Sequence, residues 1–195
     1  MYQTVLRVLG VTGAVAVLGF LALFVYFRFI YEEPFVCLRG DCENGEGVRV
    51  YESGAMYTGT HQSGQSHGRG TFQTPNGHEY AGQWEQDQKH GKGRYVYPGG
   101  NSYEGEFFRN EKHGWGLYTW SDGTRYRGAW KDGEPHGRGT VELSDGTRLE
   151  GEYEDGVVAS GAGIYIYDDG TRYIGQWKDG QRHGVGSLLS DHGGL

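Results

Sequence analysis

Apolar and polar positions follow two different regimes along this chain. Residues 8–27, VLGVTGAVAVLGFLALFVYF, are 20 consecutive positions without a charge. That is about the length a helix needs to cross the bilayer hydrocarbon. Beyond residue 34 the pattern changes to a period of two. Tyr126, Gly128 and Trp130 share one parity, and Val141 and Leu143 alternate with Thr140, Glu142 and Ser144. Such alternation predicts strands whose successive side chains face opposite sides of a sheet. Lys131-Asp132-Gly133 and Ser144-Asp145-Gly146 separate the alternating stretches and predict tight turns.

The alternating region repeats. Tyr57, Tyr80, Tyr103 and Tyr126 recur every 23 residues, as do His67, His90, His113 and His136. The next unit starts at Leu149 and carries one extra residue, so the sixth starts at Tyr173. This fifth unit also has Ser160-Gly161 in place of His-Gly, and its segment VVASGAG, 157–163, reads as a bulge that kinks the sheet. Upstream, Gly45, Gly47 and Gly54 match Gly68, Gly70 and Gly77 one period on, the second half of a degenerate unit. Each unit reads as one β-hairpin.

The expected fold is all-β: an elongated single-layer antiparallel meander of stacked hairpins, preceded by one transmembrane α-helix. About 13 strands follow from the turn signals. Twelve spacings between them give roughly 58 Å. Stability in such a stack is nearest-neighbour in character. The chain divides into residues 1–33 (membrane helix and flanks), 34–56 (degenerate half repeat with a cysteine pair) and 57–195 (six repeats).

Composition narrows the class. The chain has 37 Gly but only 4 Pro, and 14% of it is aromatic. Disordered chains lack aromatics, so many short strands and turns are the reading. Net charge is -7, of which the first 44 residues contribute -1 and the rest -6. An acidic domain gains nothing from meeting a polyanion, which argues against nucleic acid. After the apolar run come Arg28, Phe29, Ile30, Tyr31, Glu32, Glu33 and Pro34, bulky and charged where signal cleavage needs small residues. An uncleaved anchor is therefore favoured over a removed signal, with Tyr2, Tyr26 and Tyr31 as interfacial rings. The flanking arginines leave its orientation open. Gly10 and Ala14 share one helix face and read as ordinary membrane-helix composition, with close packing against another helix as the alternative.

The pattern Y-x-G-x-W-x-x-G-x-x-H-G-x-G resembles the MORN repeat (membrane occupation and recognition nexus). Tyr126, Gly128, Trp130, Gly133, His136, Gly137 and Gly139 match it fully, as do Tyr173, Gly175, Trp177, Gly180, His183, Gly184 and Gly186. Departures are His61 and Phe107 at the Trp position, Asp87 and Asn110 at the turn glycine, Leu149 at the first Tyr, and the irregular fifth unit. They are expected to soften the geometry locally. The resemblance implies hairpin stacks that serve as protein-binding scaffolds or membrane-associated modules, and implies no activity.

Candidate chemistry adds little. The registered histidines are two strands apart, roughly 9.6 Å, too far to share a zinc ion. No metal site and no cofactor is expected. The G-x-G runs lack the helix a phosphate loop requires; their glycines are expected to let rings of the neighbouring hairpin lie on the backbone. No acid, base or nucleophile departs from the repeat, so no catalytic residue is assigned and the protein is not expected to be an enzyme. Cys37 and Cys42, in CLRGDC, are close enough in sequence to form a disulfide, with two free thiols as the alternative. The C-x-x-G-x-C-x-x-G-x-G opening also resembles the first turn of exported bacterial MORN proteins. That resemblance implies an oxidising compartment, periplasm or lumen, for the soluble part. The Arg-Gly-Asp tripeptide within it reads as a turn.

Tyr57, Tyr80, Tyr103, Tyr126 and Tyr173, with Trp84, Trp130 and Trp177, are expected to share one face and to line a groove for a protein partner. No further unit follows Leu195, so the last strand is expected to offer an open edge for self-association or a partner. The functional expectation is a single-pass membrane scaffold or accessory subunit that binds a protein partner. A lipid-surface module and a regulator of a separate enzyme are the alternatives.

Overall fold

The computed structural model of the protein describes residues 34–167 and 169–189. The expected membrane helix lies outside them. Among the described residues no helix is long and apolar enough to cross a membrane.

Hairpin follows hairpin in one antiparallel sheet whose strand order is the chain order. The strands are β1 (Phe35–Gly40) and β2 (Glu46–Tyr51), β3 (Met56–Gln62) and β4 (Gln65–Gln73), and β5 (Glu79–Glu85) and β6 (Gln88–Val96). They continue with β7 (Ser102–Phe108) and β8 (Glu111–Thr119), β9 (Arg125–Lys131) and β10 (Glu134–Glu142), β11 (Arg148–Glu154) and β12 (Val157–Ile166), and β13 (Arg172–Lys178) and β14 (Gln181–Leu189). The sheet has 14 strands, one more than the sequence pattern suggests. The extra strand is β1, whose partner β2 is the half unit at residues 45–56; the Asp41 amide donates to Glu46 O at 2.8 Å across their turn.

The hairpins from β3 onward turn on two residues, both at positive φ, as in Gln86 (51°) and Asp87 (61°) or Asp132 (50°) and Gly133 (86°). Such type I′ turns match the right-handed twist of the flanking strands. Each tip is also tied to the hairpin before it: the Gly133, Gly156 and Gly180 amides donate to Lys112 O, Pro135 O and Ala159 O, all at 3.0 Å. Asp87 and Asn110 do not soften this geometry. Their amides make the same bond, and their side chains add a second. Asp87 Oδ1 accepts from the Ser66 amide at 2.6 Å, and Asn110 Oδ1 from the Lys89 amide at 2.9 Å. A short polar side chain that tolerates left-handed backbone supplies what glycine lacks.

The core is a column of tyrosines. Tyr57, Tyr80, Tyr103 and Tyr126 are fully buried. Each ring lies on the glycines of its own hairpin rather than on those of the neighbour. A Cβ on Gly128 or Gly139 would overlap the Tyr126 ring. Each hydroxyl then reaches the carbonyl three residues on: Tyr57 to Thr60 O (2.9 Å), Tyr80 to Gln83 O (2.8 Å), Tyr103 to Glu106 O (2.9 Å) and Tyr126 to Ala129 O (3.1 Å). The buried hydroxyl is thus satisfied, which is what admits a tyrosine to the interior.

Between the tyrosines stand the rings of the Trp position, edge to face. The ladder runs Tyr57–Trp84 (5.2 Å), Trp84–Tyr80 (5.1 Å), Tyr80–Phe107 (5.0 Å), Phe107–Tyr103 (5.1 Å), Tyr103–Trp130 (5.2 Å), Trp130–Tyr126 (5.3 Å) and Tyr126–Tyr153 (5.1 Å). Each pair contributes about 0.5–1.5 kcal/mol beyond burial.

The fifth hairpin interrupts this order. Leu149 stands at the first Tyr position and is only partly buried, while Tyr153, at the Trp position, is buried and rests over Gly163. Its hydroxyl accepts from the Ile164 amide at 3.1 Å. In the other hairpins from β3 onward there is a two-residue bulge, as where Gly82 faces Gly93 but Gln83 faces His90. Here Glu152 faces Ser160 and Tyr153 faces Val158, leaving Ala159 as a single extra residue.

The sheet curls at this point. Arg172, at the start of β13, bonds Asp122 in the β8–β9 turn at 2.6 Å. Those positions are four strand spacings apart, about 19 Å in a flat sheet, so the tyrosine face is concave here. Stability is correspondingly not purely nearest-neighbour in this region.

Candidate partner-binding face

The eight rings expected to line a groove are interior. Tyr57, Tyr80, Tyr103, Tyr126, Trp84, Trp130, Tyr173 and Trp177 are between 0% and 8% exposed. They hold the hairpins together and leave their faces against one another and against glycine backbone. Burial pushes the Tyr57 hydroxyl up to about 12 and raises Tyr80, Tyr103 and Tyr126 as well.

The accessible rings of this face stand on the return strands and connecting turns. Phe72, Tyr95 and Tyr118 lie directly opposite Tyr57, Tyr80 and Tyr103, and are only partly buried. Tyr97 packs against both Tyr95 (4.5 Å) and Tyr118 (5.9 Å). The 23-residue period of 72, 95 and 118 was visible in the sequence; what it lacked was the register that puts these rings beside the buried ones.

Two lysines lie among them. Lys89 Nζ sits 5.5 Å from the Tyr95 centroid and 5.9 Å from Tyr80. Lys112 Nζ is 4.2 Å from Trp130, 5.2 Å from Tyr118 and 6.0 Å from Tyr103. Loss of hydration holds Lys112 down at about 8, partly offset by the Glu134 carboxylate, and lowers Lys89 in the same sense. Above the curl a cleft of ≈ 300 Å³ opens beside Lys112, walled by Tyr118, Trp120, Trp130, Ile164 and Tyr165, with Glu134 and Asp155 also on its lining.

The opposite face is shallower and charge-paired. Trp115 is 60% exposed there, in the row of Arg69, Lys92 and Arg138. Arg138 meets Glu152 at 3.7 Å. Two open grooves of ≈ 460 and ≈ 490 Å³ cross this face.

At the start of the sheet Cys37 and Cys42 are joined in a disulfide, Cα to Cα 5.9 Å. The aspartate of the Arg-Gly-Asp turn caps it: Asp41 Oδ1 accepts from the Glu43 (2.9 Å) and Asn44 (3.0 Å) amides. These two bonds, Asn44 first, lower its carboxyl. Buried Arg49 ties this turn to the stack. It donates to Cys42 O at 3.1 Å and to Gly64 O, and faces Asp87 at 3.6 Å.

The histidines of the repeat do not converge. His90 faces Glu85 of its own hairpin at 3.3 Å, and His136 faces Asp155 at the tip of the next hairpin at 3.6 Å. No group of three His, Cys, Asp or Glu side chains is placed to hold a metal ion among the described residues.

The MORN repeat model matches residues 57–79, 80–102, 103–125, 126–148, 150–172 and 173–193. The chain belongs to the MORN-repeat family. The fifth match starts one residue later than the period alone places it, at the hairpin with the single-residue bulge. No curated protein matches the chain. Among solved structures it is similar to a catalytically inactive virginiamycin B lyase from Staphylococcus aureus with quinupristin, at 12% identity and a TM-score of 0.23. That match covers 84% of this chain and 58% of the other. The selenomethionine-substituted lyase matches at 11% identity and a TM-score of 0.23, covering 82% and 74%. Likeness of that order carries no argument about fold or activity. A stack of MORN hairpins is consistent with a non-catalytic binding or scaffolding role.

Proposed function

We propose that the chain is a single-pass membrane-anchored scaffold or accessory subunit whose hairpin stack docks a protein partner on its tyrosine face. The observation that carries this reading is the half-exposed row of Phe72, Tyr95, Tyr97 and Tyr118 on a rigid buried ladder. Amphipathic rings held in place by packing provide contact area with little entropy left to lose. The 20-residue apolar run at 8–27 supports the anchor. The Cys37–Cys42 disulfide supports an oxidising compartment for the sheet.

A photo-crosslinking amino acid placed at Tyr118, and separately at Trp115 on the other face, tests the reading in native membranes. A defined protein adduct from position 118 and none from 115 is expected. Adducts to lipid alone would refute protein docking and favour the membrane-surface alternative.

A further inference from the structure

The cleft at the curl holds a cation that the fold leaves without a counterion. Lys112 lies over Trp130 at 4.2 Å, and no carboxylate stands within ion-pair distance of it among the described residues. Asp155 at the cleft already faces His136. Glu134 acts on Lys112 only through space.

Beside the ammonium lies a second donor with nothing to donate to. The Trp84 indole N–H reaches Gly70 O at 3.1 Å, but that of Trp130 is buried without an acceptor among the described residues. A second cation, Arg172, lies outside the lining but 5.5 Å from the Trp120 ring that walls the cleft; Asp122 holds its Nη2, while its Nε and Nη1 lack acceptors among the described residues. Buried donors without acceptors are costly. A lysine stripped of water and facing rings gains less than it loses unless an anion completes the site.

Lys112 is the cation on the cleft's lining, and the walls are aromatic and aliphatic apart from Glu134 and Asp155. We propose that this cleft is the receptor for an acidic side chain on an apolar segment of the partner protein, with Lys112 as its anchor. The proposal rests on the docking reading above and names the chemistry of the docked segment. Apolar side chains flanking the acid fill the cleft against Trp120, Ile164 and Tyr165, and water leaves as they enter. A fully desolvated charge pair then forms, which is where interfaces concentrate their energy.

The test uses full-length protein in mild detergent micelles and a displayed library of random short peptides. Selected peptides are expected to share an aspartate or glutamate next to apolar residues. Their affinity is expected to fall about tenfold or more in Lys112→Gln, to fall less in Lys112→Arg, and to rise in Glu134→Gln. Lys92→Gln, on the opposite face, serves as the control, and near-ultraviolet circular dichroism verifies that every variant is folded. Selected peptides that bind wild type and Lys112→Gln equally, or that carry no acid, overturn the proposal and leave the docking reading standing. Failure to select any peptide overturns both.

Discussion

Tyr126 offers the sharpest test of how this sheet is held together. Its ring is fully buried, lies on Gly128 and Gly139, and meets Trp130 and Tyr153 edge to face at 5.3 and 5.1 Å. Tyr126→Ala removes the ring and both pairs. Neighbouring strands cannot collapse onto a glycine backbone, so the cost is about 4 kcal/mol, in the middle of the range for large-to-alanine changes. Tyr126→Phe loses only the bond to Ala129 O, about 1 kcal/mol. Because each hairpin packs mainly on its neighbours, the loss is expected to be local. Hydrogen exchange monitored by mass spectrometry reads this directly. In Tyr126→Ala, amides of β8–β11 are expected to exchange up to about a thousandfold faster, while β3–β6 keep their protection. Two results would refute the reasoning. Equal loss of protection in β3–β6 would mean that the stack unfolds as one unit. Equal cost for Phe and Ala would mean that the hydroxyl, not the packing, holds the core.

Four further substitutions probe other parts of the sheet. Gly133 has φ +86° and nothing within 4 Å of an added Cβ, whereas Gly139 has a tyrosine ring there; Gly133→Asn is therefore expected to change thermal stability by less than about 1 kcal/mol, as Asn110 does the same job, and Gly139→Ala to cost about 3 kcal/mol or more. His61, at the Trp position, packs on Tyr57 at 5.1 Å, and burial, then Arg49, holds its protonation below the usual 6.5. The unfolded chain takes up that proton first, so stability present above pH 6.5 falls as pH drops below it, and His61→Trp is expected to abolish this dependence in melts at successive pH values. At Asp122, burial raises the carboxyl but the bonds from Arg172 and Thr124 outweigh it, leaving it lowered. Its contribution is present above about pH 3.8 and is lost below, and Asp122→Asn, measured at neutral pH, is expected to cost about 1–3 kcal/mol by leaving Arg172 unpaired.

Much of the fold was legible from periodicity. The 23-residue spacing of Tyr, Gly and Asp-Gly predicts hairpins with tight turns, and the sheet consists of them in chain order. Those features are local: a type I′ turn needs two residues at positive φ, and alternation needs only the pleat. The extra strand β1 was missed because FVCLRG carries no repeat residue and pairs only through β2.

Less of the site was legible. Alternation places Tyr57, Tyr80, Tyr103 and Tyr126 on one face, but not whether that face is covered. The tertiary structure decided that, because each ring folds back onto glycines of its own hairpin and closes the column against solvent. The accessible rings are those across the strand, Phe72, Tyr95 and Tyr118, and only register distinguishes them. The cleft beside Lys112 depends on still longer range. It exists because a single-residue bulge in the fifth hairpin and the Arg172–Asp122 pair curl the sheet across four strands. The repeat by itself determined the hairpins, since turn and strand preferences act over a few residues. Only the tertiary structure decided which rings are buried and where the sheet bends, since burial and curvature depend on contacts between strands that no local pattern records.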